Sequence, residues 1–246
     1  MVTEYNYVKQ WVRVGAITGL ITAVVYPIMI FVPLPSPITL TLACAFGPLL
    51  MVASLGLYQL LKLGRKTVTL QIATISNVLA GAIVNMMFVV QLAVRQSMNS
   101  YLEGITDDSV RETVRWVFKG VNEVQLGLDV SWDVYIALGS FLFALNMLKH
   151  PRFGRIFGWT GMVIASVLLY LNLSTFPTPP ANAGQFDLGP LLGLWYLAVA
   201  VQALRSIKWV ETIQSPYFNE KIDHDFTQIE LEIKNTRKRE KDEEVP

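Results

Sequence analysis

The sequence predicts an all-α polytopic membrane protein, a six-transmembrane-helix bundle. Three observations point there. Of 246 residues 52% are hydrophobic and only 16% charged, too apolar for an ordinary soluble domain. The apolar residues fall in blocks of about 20, the length that crosses a hydrocarbon core of roughly 30 Å at 1.5 Å per residue. No Lys, Arg or His lies inside any block.

The blocks place spans at about 14–33, 38–61, 68–94, 128–148, 156–175 and 188–204. They divide the chain into a six-span domain over 1–204 and a cytoplasmic, amphipathic helical tail over 205–246. The first block lacks the short apolar core and small-residue cleavage site of a signal peptide and is expected to be retained. Gly15, Gly19 and Ala23 form a small-residue ridge on it, and Pro27 should kink it, whereas Pro48 sits nearer the start of its span and is easily absorbed. Further ridges are Gly154 with Gly158 and Gly161 with Ala165 on span five, and Gly189 with Gly193 on span six. The first hairpin re-enters through Gly47-Pro-Leu-Leu50 and the last through Gly189-Pro-Leu-Leu192, an echo that a parallel internal repeat would leave.

Charge gives a direction. With the N-terminus inside, all of the 20 Lys and Arg except Arg95, Arg111, Arg115 and Lys119 fall on the cytoplasmic side. The positive-inside rule therefore predicts both termini in the cytoplasm. Trp11, Tyr58, Phe157, Trp159 and Trp209 mark the inner interface, and Trp116, Trp132, Tyr170 and Phe176 the outer one.

Between spans three and four lies a long outer segment. Ser109-x-x-Glu112 has the capping-box pattern of a helix start. From there Val110, Val114, Val117, Val121, Val124 and Leu128 recur at spacings of four and three. One helix over about 109–148 is predicted, its outer half (109–127) packing the valine stripe against other outer loops or lying in the interface. Arg111, Arg115 and Lys119 occupy another face, read first as a solvated one balanced by Glu112 and Glu123, with an anionic ligand or lipid headgroup as the alternative occupant. In the tail, Ser215-Pro216 starts a helix whose Phe218, Ile222, Phe226, Ile229 and Ile233 form a narrow seam, either for a partner membrane protein or a second copy or folded onto the inner loops.

Polar groups kept in the membrane are the place to seek function. Asp129 and Asp133 share one face of span four with Ala137, Ser140 and Ala144. No basic residue shares the membrane with them, so Asp133 must be hydrated, protonated, hydrogen-bonded or paired with a bound cation. Asn77, Asn85, Asn172 and Asp187 are candidate partners, with Trp132, Trp195 and Tyr196 as aromatic walls. The expected function is non-enzymatic binding of a small molecule or lipid in an outward-facing polar cleft. The alternatives are a proton- or cation-coupled transporter and an accessory or scaffolding subunit.

No cofactor is expected. His150 and His224 lie outside the spans, which excludes haem held between membrane histidines, and no mid-membrane lysine offers a retinal Schiff base. Metal-ligand clusters and phosphate loops are missing from the sequence, and a net charge of +1 argues against nucleic acid as a partner. Cys44 is the only cysteine, so no intrachain disulfide forms.

Lys149-His-Pro-Arg-Phe-Gly154, Phe176-Pro-Thr-Pro-Pro-Ala181 and Asp187-Leu-Gly-Pro-Leu-Leu-Gly-Leu-Trp-Tyr196 together resemble segments of uncharacterised multi-pass membrane proteins of bacteria and archaea, a family of unknown function. The resemblance covers about the C-terminal half. It implies a prokaryotic plasma membrane and brings no catalytic residue.

Overall fold

A computed structural model describes residues 2–213. Seven helices follow in order: α1 (Val2–Phe31), α2 (Ser36–Leu61), α3 (Val68–Glu103), α4 (Asp108–Met147), α5 (Gly154–Thr175), α6 (Gly189–Arg205) and α7 (Ile207–Ile213). The first five are long and apolar enough to cross a membrane; α6, with 17 residues, qualifies only together with α7, from which it bends by 45°. Consecutive helices from α1 to α6 pack on one another and α6 returns to α1, so the bundle is a closed ring. Phe143, Met147 and Leu70 fill its interior without exposure.

Small residues set the closest approaches. Gly15 on α1 meets Gly56 on α2 backbone to backbone, and Gly158 and Gly161 on α5 leave room for Leu148, the C-cap of α4, and Trp195 of α6. The ridge expected at Gly189 and Gly193 does not form: Gly193 faces open space and Gly189 has only the Asp187 carboxylate beside it. The hairpin echo is not matched in packing either, because α1 and α2 pack extensively whereas α5 packs mainly on α4 and touches α6 over a short stretch.

Pro48 lies in the middle of α2, which runs from Ser36 to Leu61, rather than near its entry. Proline has no N–H for the carbonyl four residues back, here Cys44. With its amide oriented to satisfy both ends, Asn85 of α3 donates to Cys44 O at 2.9 Å and to Ala43 O at 3.2 Å. A side chain from the neighbouring helix thus replaces the missing backbone donor. Asn85→Ala should lower stability by about 1–2 kcal/mol. Thermal unfolding in detergent checks it, and a Pro48→Ala, Asn85→Ala double variant should recover part of the loss because alanine, unlike proline, brings its own backbone N–H.

At the end of the bundle holding the α2–α3 and α4–α5 turns, here the clasp end, polar contacts tie the loops to α6 and α7. His150, 4% exposed, places Nε2 at 3.3 Å from Leu60 O, and its Nδ1 accepts from Arg152 N at 3.2 Å. The ring packs between Phe153 and Trp209, so Trp209 is an internal wall rather than a purely interfacial anchor. Burial pushes the imidazole pKa down to about 4; the Leu60 hydrogen bond works against this and the Arg152 charge adds to it. Arg152 reaches Ser206 Oγ and Arg205 O, both at 3.3 Å, and its own carbonyl accepts from Gln202 Nε2. Lys9 pairs with Glu211 at 2.6 Å, joining α1 to α7. Thr67, the N-cap of α3, donates to Asn146 Oδ1 on α4 at 2.7 Å.

The opposite end, here the arm end, departs most from expectation. Helix α3 does not stop near 94 but continues to Glu103, so only a four-residue turn separates it from α4. Val94, Met98 and Leu102 form its half-buried face. The predicted long helix is present as the 40-residue α4. Its N-cap is Asp107 rather than Ser109: the carboxylate accepts from Ser109 N at 2.8 Å and Val110 N at 3.4 Å. An anion there also meets the positive end of the helix dipole. The Ser109 hydroxyl, then the backbone N–H groups of Ser109 and Val110, hold the Asp107 carboxyl below the usual carboxylate range. The valine stripe does not pack on other outer loops among the described residues: Val110, Val117, Val121 and Val124 are exposed. Another face of α4 meets α3, with Tyr101 against Phe118 at 6.1 Å between centroids and Arg111 Nη2 at 3.5 Å from Leu102 O. The proposed tail seam, Phe218 to Ile233, lies outside the described residues.

Candidate functional site

Three helices meet in the centre of the ring through polar side chains. Tyr196 of α6 donates its hydroxyl to Asn77 Oδ1 of α3 at 3.1 Å and lies 2.7 Å from Ser140 Oγ of α4. Ser140 in turn reaches Ile136 O on its own helix at 2.6 Å. Gly139 makes room for Asn77, since a Cβ there would stand 2.8 Å from Asn77 Cγ. Asn77 is completely buried, yet its Nδ2 has no acceptor among the described residues. A donor left over in a low-dielectric interior is costly, which marks this as a place where a further group has a use.

Two helical turns nearer the arm end on the same face of α4 stands Asp133. It is 8% exposed, and no donor or cation among the described residues bonds it. The carboxylates within electrostatic reach are Asp129, one turn further along α4, and Asp187, just before α6. Tyr26 of α1 lies in the field of all three. Its ring packs on Phe46 of α2 (5.6 Å between centroids) and on Trp132 (6.5 Å), whose buried Nε1–H lacks an acceptor among the described residues. Residues from α1, α2, α4 and the turn before α6 therefore gather into one acidic region beside an aromatic cluster.

The other expected members are elsewhere. Asn172 donates to Leu168 O of its own helix at 3.0 Å and lines a recess beside Asp129 with Phe176, Pro177 and Pro179. That recess holds about 10 Å³ of free space, room for one water. Asp187 accepts from Gly189 N at 2.8 Å, so one of its oxygens is engaged at the start of α6. Asn85 serves the α2 backbone, and Trp195 donates to Phe157 O at 3.1 Å towards the clasp end. Neither faces the carboxylates, because Gly47 and Gly161 draw them into helix crossings.

Sequence reading missed Tyr26 and Phe46, and placed Ser140 on the inward face of span four without giving it a role. Tyr26 immediately precedes Pro27, but nothing in the local pattern separates an inward from a lipid-facing tyrosine. On the arm-end part of α4, Asp108, Arg111, Glu112, Arg115, Trp116 and Lys119 line an open groove of about 490 Å³ in which acids and bases are mixed. Lys119 lies over the Trp116 ring at 4.9 Å, and the mixed charges make this a solvated face. Groups of three or more His, Cys, Asp or Glu placed to hold a metal ion are absent among the described residues.

No protein-family model, curated protein or solved structure matches this chain. The likeness in the C-terminal half therefore brings no residue role to the site.

Proposed function

We propose that this is a multi-pass protein of a plasma membrane, with both termini cytoplasmic and the arm end outside, that binds a small organic cation at Asp133, Asp129 and Asp187. The observation that carries the reading is Asp133: a nearly buried carboxyl, flanked by two others, to which the chain offers neither donor nor counter-ion among the described residues. A bound ammonium group satisfies it by charge, and the faces of Tyr26 and Trp132 add cation–π attraction. The distribution of Lys and Arg supports the orientation. Because the recess beside Asp129 is only water-sized, an amine enters as the Phe176–Pro179 turn shifts aside.

Thermal unfolding in detergent tests this against primary, polyvalent and quaternary amines. A ligand at a hundred times its Kd should stabilise the protein by about 2.7 kcal/mol. Asp129→Asn, Asp133→Asn should remove that gain while leaving the unliganded protein at least as stable, because a buried uncompensated charge has been taken away. Equal responses of wild type and variant to every amine refute the site.

One observation favours a second reading. The unsatisfied Asn77 amide and the Ser140–Tyr196 pair lie below Asp133 on one face of α4, a polar continuation towards the bundle centre. In that reading the site is the outer station of a transporter. Amine uptake by proteoliposomes, lost on Asn77→Leu, distinguishes it from binding alone.

A further inference from the structure

The aromatic contact beside the acidic region runs across the bundle rather than between neighbouring helices. In the ring from α1 to α6, α1 and α4 stand opposite each other, so Tyr26 and Trp132 meet over its interior. Trp132 follows Asp129 by three residues, which makes indole and carboxylate neighbours on the helix surface, about 5–6 Å apart at their Cβ atoms. Two kinds of hydrogen-bonding group are left over there. Asp133, nearly buried, receives no donor among the described residues, and the buried Trp132 Nε1–H finds no acceptor among them. They do not satisfy each other. An indole nitrogen is a donor only, so it cannot adapt by exchanging roles as a hydroxyl can. Each group left unpaired in a low-dielectric interior is costly.

A plain alkylammonium ion answers the carboxylates but, having no lone pair, leaves the indole as it was. A molecule with an oxygen acceptor close to its ammonium group answers both. Electrostatics narrows the acceptor. Asp129 and Asp187 already act on Asp133, so a carboxylate or phosphate on the ligand would add a further negative charge among them. The acceptor is therefore neutral: a hydroxyl or ether oxygen. With about 10 Å³ free beside Asp129, the molecule is also small.

We infer that the ligand of the acidic region is a small amino alcohol or amino ether, its ammonium group among the carboxylates and its neutral oxygen accepting from Trp132 Nε1. This rests on the cation-binding reading above and makes the Trp132 N–H the group that sets specificity. The test is a thermal-shift titration of the full chain in detergent, with amines paired by size and charge: ethanolamine against propylamine, methoxyethylamine against butylamine, and glycine as the zwitterion. Wild type should bind the oxygen-bearing member of each pair about tenfold more tightly, and glycine about tenfold or more weaker than ethanolamine. Trp132→Phe keeps an aromatic face without the N–H; it should bind all four amines more weakly and bring both ratios to about one. The wild-type ratios stand as the test if that variant does not fold. Equal responses of wild type and Asp129→Asn, Asp133→Asn to every amine refute the cation site and this inference with it. Where binding does depend on the two aspartates, wild-type ratios near one, the result if a retained water serves the indole, overturn this inference alone. So do a preference for ethanolamine that methoxyethylamine does not share, tight glycine binding, or ratios that persist in Trp132→Phe.

Discussion

Gly15→Val should leave little folded protein. A Cβ at Gly15 would stand 2.5 Å from Gly56 Cα and 3.2 Å from Val52 O, and both obstacles are backbone. The reciprocal position is as tight: a Cβ on Gly56 would meet Gly15 Cα at 2.5 Å and Trp11 O at 2.7 Å. No rotamer change relieves such a clash, so α1 and α2 must separate along a contact that spans much of both helices. Overpacking costs about 1–3 kcal/mol where side chains give way and more where they cannot. The expected loss is therefore above roughly 3 kcal/mol, read as collapse of the monodisperse peak in size exclusion and a fall in unfolding temperature. Gly193→Ala, at a helical glycine with nothing within 4 Å, should be neutral or slightly stabilising.

Acidification should weaken the clasp end specifically. His150 titrates near 4 in the folded protein against about 6.5 when unfolded. Between those values the unfolded chain binds the extra proton, so stability rises with pH there. The stabilisation is fully present above pH 6.5, declines as pH falls towards 4 and is constant below. Its size is at most on the order of 3 kcal/mol from the shift at 1.36 kcal/mol per pH unit. The imidazole is held as the neutral form with hydrogen on Nε2, since Nδ1 accepts from Arg152 N. Protonation puts a second hydrogen against that N–H, beside the Arg152 guanidinium. His150→Gln keeps a donor and an acceptor but does not titrate, so its unfolding temperature between about pH 7 and pH 4.5 should vary several degrees less than that of wild type.

The helical bundle was legible because burial in lipid imposes one rule on every span: about 20 apolar residues without a charge. The continuity of α4 was legible from the valine spacing. Its cap was misassigned because Asp107, Asp108 and Ser109 are all good N-caps in succession, and only the bonds from Ser109 and Val110 to Asp107 decide among them. The extension of α3 was hidden by its polarity. Residues 95–103 include Arg95, Gln96, Ser97 and Asn99, and the faint signal of Val94, Met98 and Leu102 is that of a helix burying one narrow stripe on a single neighbour. In the site, Asp129, Asp133 and Trp132 could be grouped because one helix carries them. Asp187 comes to them from a distant turn, a proximity that no local spacing encodes. Asn85 is the instructive miss: its partner is a carbonyl freed by Pro48 on another helix, a relation visible only once α2 and α3 are side by side.

The most direct measurement of the central claim is the accessibility of position 133. In intact cells with Cys44→Ala, Asp133→Cys should react slowly with a membrane-impermeant maleimide added outside, and an amine identified by thermal shift should retain some protection through Asp129 and Asp187. Lys149→Cys should react only after permeabilisation. Labelling of position 133 only from the cytoplasmic side, or no labelling from either side, contradicts an outward-facing site.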